Sequence, residues 1–418
     1  MIQKESIQNF LTTLGTYSPN FMYIKLNTDN QDTMIHEYIH FIQNITTNFG
    51  IEFYTLYRKI FAMLVIKNTT GKDLFRDQEF YDLYEIFKNN FEQTRSFAYN
   101  NIDIGVISFA DNPTVIKKHG MKIYSNASVK MFLDGYPVRY VFNARTLMEN
   151  MARIIQRHCY PNIIKQKSLD YDICVDAISK YNPKFPNTPQ NIVALCDLSL
   201  LTEFPVHTFF LMLHAFKEMG FVPNNAKEIY DFMKSNAGYK SSDGSTYTAE
   251  LSYDKSLRDC IESIEILYNK KDIIYDIHTW LTTTFNCARE FRMNNPYFLI
   301  DLFDVDAKQA KDKIVSYMHI LGIPLTIAQD NSISSGITNI CENLLLLRAE
   351  EEVYDCLASD VAEYTCKMKE ICKKNSDEPI VNELCNNALL KTELYKDNEA
   401  ACPFAILCTK WQIKRKTL

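Results

Sequence analysis

No stretch of this 418-residue chain is apolar for long enough to cross a membrane; the runs at 60–66 and 209–213 are short. The opening residues, MIQKESIQNFLTTLG, lack the apolar centre of a secretory signal, so a cytoplasmic protein is expected. Positive charge is also in short supply. With 45 Lys and Arg against 51 Asp and Glu, the net charge is −6, which leaves no basic footprint for nucleic acid. None of the twelve cysteines forms a Cys-x-x-Cys pair. Seven of them (Cys341, Cys356, Cys366, Cys372, Cys385, Cys402 and Cys408) crowd the last quarter at spacings that match no ligand pattern. Reduced, buried core thiols are the favoured reading there, and a second metal site is the weaker one. There is no internal repeat and no low-complexity tract.

What is present begins at 32–49, DTMIHEYIHFIQNITTNF, which contains His36-Glu37-Tyr38-Ile39-His40. On a helix, residues four apart share a face about one turn from each other, so both imidazoles can reach one metal ion. Zinc suits two neutral imidazoles, and an open position beside it would acidify a water, with Glu37 as the base. The setting supports a helix. Asp29, Asn30 and Asp32 offer caps, and neither Pro nor Gly interrupts until Gly50. Met34, Ile35, Tyr38, Ile42, Ile45 and Phe49 form a buried stripe, while His36, His40, Gln43 and Thr47 share a polar line suited to a cleft. Two histidines that merely hydrogen-bond to neighbours would be the ordinary alternative.

A second informative stretch is ARTLMENMARIIQRH at 144–158. Leu147, Met151, Ile154 and Ile155 mark its apolar face, with Glu149 among them. Burying a carboxylate there is costly without a partner, and a metal ion would be one. The plain alternative is a solvent-facing residue near the helix start, favoured by the helix dipole.

His36-Glu37-Tyr38-Ile39-His40 followed by Glu149-Asn150-Met151-Ala152 resembles the gluzincin metallopeptidases, over about thirty residues of the chain. The resemblance implies zinc held by His36, His40 and Glu149, and water activated by Glu37. Arg153 departs from the pattern, because many members place there an Asp that orients the first histidine. Glu203, His158 and His207 remain open as third ligands, although Pro205 disfavours a regular helix joining Glu203 to His207. His207, His158 and Tyr160 are candidates to hydrogen-bond a developing oxyanion, each against the ordinary reading of a packed or surface residue.

Apolar residues at 46% and charged residues at 23% describe an ordinary soluble globular protein with a large core, in two or three domains or one elaborated domain. The pattern predicts a helix over 1–15, a strand over 21–26, a buried helix over 51–66 and an amphipathic helix over 77–91. Period-two segments follow at 104–109, 121–124, 129–133 and 138–142, with a tight turn at Asp134-Gly135. A loop at 181–189, an apolar helical block at 191–219, an exposed loop at 237–246, an apolar segment at 298–303 and a linker at 331–336 come next. Helical periodicity over 337–373 and a solvated basic tail at 414–416 close the chain.

The expectation is a mainly helical α+β fold with a zincin-like helix, a small antiparallel sheet and a large helical C-terminal part. Its regions are 1–165 as the catalytic part, 166–330 as helices completing the cleft, and 331–418 as a C-terminal helical part. The expected activity is zinc-dependent hydrolysis of a peptide or protein substrate, held extended along an edge strand of 121–142. No nucleic-acid or membrane partner is expected, and a regulatory protein partner is an option. A metal-holding interaction protein without turnover, or a zinc hydrolase of other substrates, stands beside that reading.

Overall fold

The first described element is a hairpin, in which β1 (Gly15–Ser18) pairs antiparallel with β2 (Tyr23–Leu26), Gly15 opposite Leu26 and Ser18 opposite Tyr23. The computed structural model describes residues 14–71, 78, 81, 98–111, 124–163, 167–236, 239–240, 246–247, 249–268, 275–335, 344–359, 363–375, 381–389 and 402–413. Most of the helix expected over 1–15 lies outside these residues, and by Gly15 the chain is already strand.

Helix α1 (Gln31–Thr46) follows β2, with Asn30 extended at its N-cap but making no side-chain cap bond. Every residue from Asp32 to Thr46 except Met34 is buried. The line carrying His36, His40 and Gln43 is therefore packed against other elements instead of facing open solvent. Helix α2 (Asn48–Thr70) starts at once, with the Thr47 hydroxyl accepting from the Gly50 amide at 3.1 Å. Gly50 does not separate the two helices as expected but lies in the first turn of α2. A Cβ at that position would fall 2.4 Å from the Asn44 carbonyl oxygen, so only glycine lets the chain turn this sharply.

Strands β3 (Ile102–Asp111), β4 (Tyr124–Leu133) and β5 (Tyr136–Phe142) form an antiparallel sheet in that order. Asp134 and Gly135 both take positive φ, 48° and 87°, as the tight β4–β5 turn requires. The alternation reads through: Ala127, Val129, Met131 and Leu133 are buried while Lys130 and Phe132 are exposed. The separate segments expected at 121–124 and 129–133 belong to one strand as far as they are described, with 121–123 outside the described residues.

Helix α3 (Ala144–Cys159) follows β5 directly, started by a capping box between Asn143 and Thr146. Helices α4 (Leu169–Tyr181), α5 (Pro189–Leu200), α6 (Pro205–Met219) and α7 (Ala226–Asn236) come next, so the apolar block at 191–219 is two helices broken just before Pro205. The loop expected at 237–246 carries a short ribbon, β6 (Tyr239–Lys240) with β7 (Thr246–Tyr247). Helices α8 (Ala249–Leu267), α9 (Tyr275–Asn294) and α10 (Ala307–Leu321) lead to β8 (Leu325–Ile327) and β9 (Ile333–Ser334). These two strands join the first hairpin in the order β1-β2-β8-β9, with β8 parallel to β2. The expected linker at 331–336 thus supplies an edge strand. Helices α11 (Leu344–Ser359), α12 (Lys369–Asn375) and α13 (Pro403–Lys410) complete the described chain. The expected amphipathic helix at 77–91 and the basic tail at 414–416 fall largely or wholly outside the described residues.

The main core runs from Phe21 to Ile413, and among the described residues no helix is long and apolar enough to cross a membrane. The C-terminal part is docked by a buried ion pair. Arg58 of α2, fully buried, donates to Glu350 of α11 at 2.7 Å and to the Tyr268 hydroxyl at 2.6 Å, and lies over the Tyr54 ring. Six of the seven C-terminal cysteines are described, and all six are buried and in no disulfide among the described residues, as a core role requires.

Candidate metal centre

Two helices build the site, and two glutamines dock them. Gln156, near the end of α3, donates to the backbone and side-chain oxygens of Asp32, both at 2.9 Å, at the start of α1. Gln43, near the end of α1, donates to the Met148 carbonyl in the first half of α3 at 3.0 Å. The helices are therefore antiparallel, and the residues between those clamps face each other. His36 and His40 come from one side and Glu149 from the other.

The three side chains meet at one point. His36 Nε2 and His40 Nε2 each stand 3.2 Å from Glu149 Oε2, and the two nitrogens stand 3.2 Å from each other. Tetrahedral bonds of about 2.0–2.1 Å would set ligand atoms about 3.3–3.4 Å apart, so the triangle already has the size of one face of such a site. Three lone-pair-bearing atoms do not gather unless a proton or a cation holds them. This group can hold a metal ion, and it is the cluster of metal-ligating side chains found among the described residues.

Electrostatics agree. Burial pushes the Glu149 carboxyl up, yet the two histidines outweigh it and hold it well below the usual carboxylate range. Burial pulls His40 down, and the Glu149 carboxylate outweighs that and raises it. The site thus favours positive charge beside an ionised carboxylate. The second carboxylate oxygen, Oε1, receives Arg145 Nε at 3.3 Å.

Glu37 is buried on the same helix, and burial raises its carboxyl, partly countered by the two histidines and by a hydrogen bond from the Tyr17 backbone. That backbone belongs to β1, which lies directly over the glutamate. A Cβ at Gly15 would sit 3.1 Å from Glu37 Cγ and 2.7 Å from Thr33 Cγ2.

The remaining sequence candidates are placed elsewhere. His158 Nε2 is engaged by the Leu302 and Val305 carbonyls at 2.9 and 3.1 Å. The Tyr160 ring lies under the Lys311 ammonium at 4.8 Å. Glu203 interacts electrostatically with Glu52 of α2, and half-buried His207 sits on α6, lowered by burial alone. Arg153 does not replace the missing orienting Asp: its Nη1 donates to Gln156 at 3.0 Å and its guanidinium lies 5.1 Å over the Tyr171 ring.

Tyr171 is the residue that sequence reasoning passed over. Its ring packs edge-on against His36, centroids 5.6 Å apart. Burial, then the charges of Glu149 and Glu37, push its hydroxyl far up, so it stays a hydrogen-bond donor. Asn150, next to Glu149, presents it: its amide donates to the Asp170 carbonyl at 2.8 Å and accepts from the Cys174 amide at 3.1 Å, fixing the first turn of α4. The sequence hint was the Asn beside Glu149, a buried polar group in need of partners. No protein family, curated protein or solved structure matches this chain.

Proposed function

We propose that this protein is a zinc-dependent peptidase. The observation that carries the reading is the 3.2 Å triangle of His36, His40 and Glu149 with a buried carboxylate, Glu37, on the same helix turn. When bound, zinc would acidify a water and polarise a carbonyl. Glu37, its proton affinity raised by burial, takes the proton of the attacking water and later delivers it to the leaving amine. The Tyr171 hydroxyl, in place of His158, His207 or Tyr160, donates to the developing oxyanion. For the extended substrate, β1 stands as a second candidate beside β5, the edge strand of the 121–142 segment: among the described residues β1 pairs only with β2, and it passes over Glu37.

Burial favours a second reading. His36, Glu37 and His40 are only 6–8% exposed, as suits a metal-holding interaction protein without turnover. One experiment decides between them. A peptide library is incubated with the zinc-loaded protein and with Glu37→Gln, with metal content measured on both. The peptidase reading requires cleavage by the native chain and a fall of about 10²–10⁴-fold in the variant at equal zinc. Equal cleavage by both overturns the role of Glu37, and no cleavage by either favours the second reading. Loss of zinc in Glu149→Ala checks the third ligand.

A further inference from the structure

We propose that Gln43 is the positioning residue of this centre: it decides which nitrogen of His40 faces the metal and ties that choice to the docking of α3. The inference rests on the reading of His36, His40 and Glu149 as metal ligands. An amide side chain has one accepting end and one donating end. The Met148 carbonyl can only accept, so the Gln43 nitrogen must be the end that faces it, at 3.0 Å. Gln43 Oε1 then stands 2.8 Å from His40 Nδ1. That oxygen can only accept, so Nδ1 carries the hydrogen, and the neutral ring presents a bare Nε2. Nε2 is the atom at the 3.2 Å triangle.

Gln43 is fully buried, so water does not compete for either bond. Its anchor, Met148, immediately precedes Glu149. The same amide therefore orients the second histidine and fixes the backbone one residue before the carboxylate ligand. His36 has no counterpart: its Nδ1 is buried and finds no partner among the described residues. The two histidines are unequal, and the preformed geometry depends on Gln43 for its His40 half.

Two variants of the full chain test this. Gln43→Met keeps the length of the side chain but removes both hydrogen bonds. Gln43→Glu keeps an acceptor for His40 and, when protonated, a donor for Met148. Zinc affinity is measured by competition with a chromophoric chelator. Cobalt-loaded protein is examined by proton NMR for the shifted, exchange-protected Nδ1–H of His40. Gln43→Met should bind zinc about 10–100-fold more weakly and lose that resonance, and Gln43→Glu should restore both. Zinc binding by Gln43→Met as tight as in the native chain overturns the proposal. So does equal weakening in both variants in step with their melting temperatures, which would mark a packing role. A native chain that binds no zinc, or whose binding survives His40→Ala, refutes the metal centre itself.

Discussion

Replacing Gly15 with alanine probes how closely β1 and the proposed base are packed. The new methyl carbon would lie 2.7 Å from Thr33 Cγ2, 3.1 Å from Glu37 Cγ and 3.2 Å from Glu37 Oε1. Carbon atoms at rest stand about 3.5–4.0 Å apart, so the closest contact is short by about an ångström. Gly15 has no positive φ that would demand glycine, so the close approach is the whole constraint. Either β1 lifts, straining its pairing with Leu26 and the Tyr17 hydrogen bond to Glu37, or the carboxylate swings away. Overpacking of this kind costs about 1–3 kcal/mol, and a misplacement of about 1 Å at a reacting group costs about 10²-fold in turnover. Zinc content should hold, because His36, His40 and Glu149 lie outside this contact. The assay compares kcat on a cleaved peptide, zinc stoichiometry and melting temperature for Gly15→Ala alone and combined with Thr33→Ser. Removing the Thr33 methyl relieves the 2.7 Å clash but leaves the Glu37 contact. The double variant should therefore recover stability while activity stays low. Native kcat with an unchanged melting temperature in Gly15→Ala would refute the packing argument.

Three further outcomes are expected. Tyr171→Phe should lower kcat by about 10²–10³-fold at unchanged zinc content, the scale of one lost oxyanion donor, as measured by steady-state kinetics. Arg58→Met should cost about 3–5 kcal/mol in chemical denaturation by stranding Glu350, and Arg58→Met with Glu350→Leu should recover most of it. Glu52 gives a pH dependence: burial, then the charge of Glu203, push its carboxyl up to about 7 from an ordinary 4.5. A raised carboxyl binds protons more tightly in the folded state, so the penalty is absent below 4.5, grows as pH rises towards 7 and stays constant above. Melting curves of Glu52→Gln should therefore match the native protein at pH 4 and exceed it at pH 8.

The features legible in the sequence were those written in local spacing. His36 and His40 sit four apart, and Asp134-Gly135 can take the two positive φ values of the turn between β4 and β5. Pro205 argued against a regular helix joining Glu203 to His207, and a helix does begin at it. Glu149 stood out because a carboxylate on an apolar helix face needs a partner. What the sequence hid was set by contacts between distant residues. The sheet that seats β1 depends on β8, some three hundred residues later, and on β9 within a stretch whose polar residues read as linker. Tyr171 carried no local mark, because its role depends on α4 starting where Asn150 holds it. Gln43 was visible on the polar line of α1, but its two partners were not.

The absence of an orienting Asp at position 153 follows from the same packing. At that site stands a buried arginine whose guanidinium is engaged with Gln156 and the Tyr171 ring. An aspartate is too short to make both contacts, and one turn after Glu149 on the same helix it would add a further negative charge beside that carboxylate. Arginine instead supports Tyr171 and, through Gln156, the clamp on Asp32 at the start of α1. Of the two histidines, it is His40 whose Nδ1 is hydrogen-bonded, by Gln43, while His36 Nδ1 finds no partner among the described residues. The meeting of His36, His40 and Glu149 therefore rests on α1 and α3 being held at both ends, by Gln156 on Asp32 and by Gln43 on Met148, and not on an aspartate at position 153.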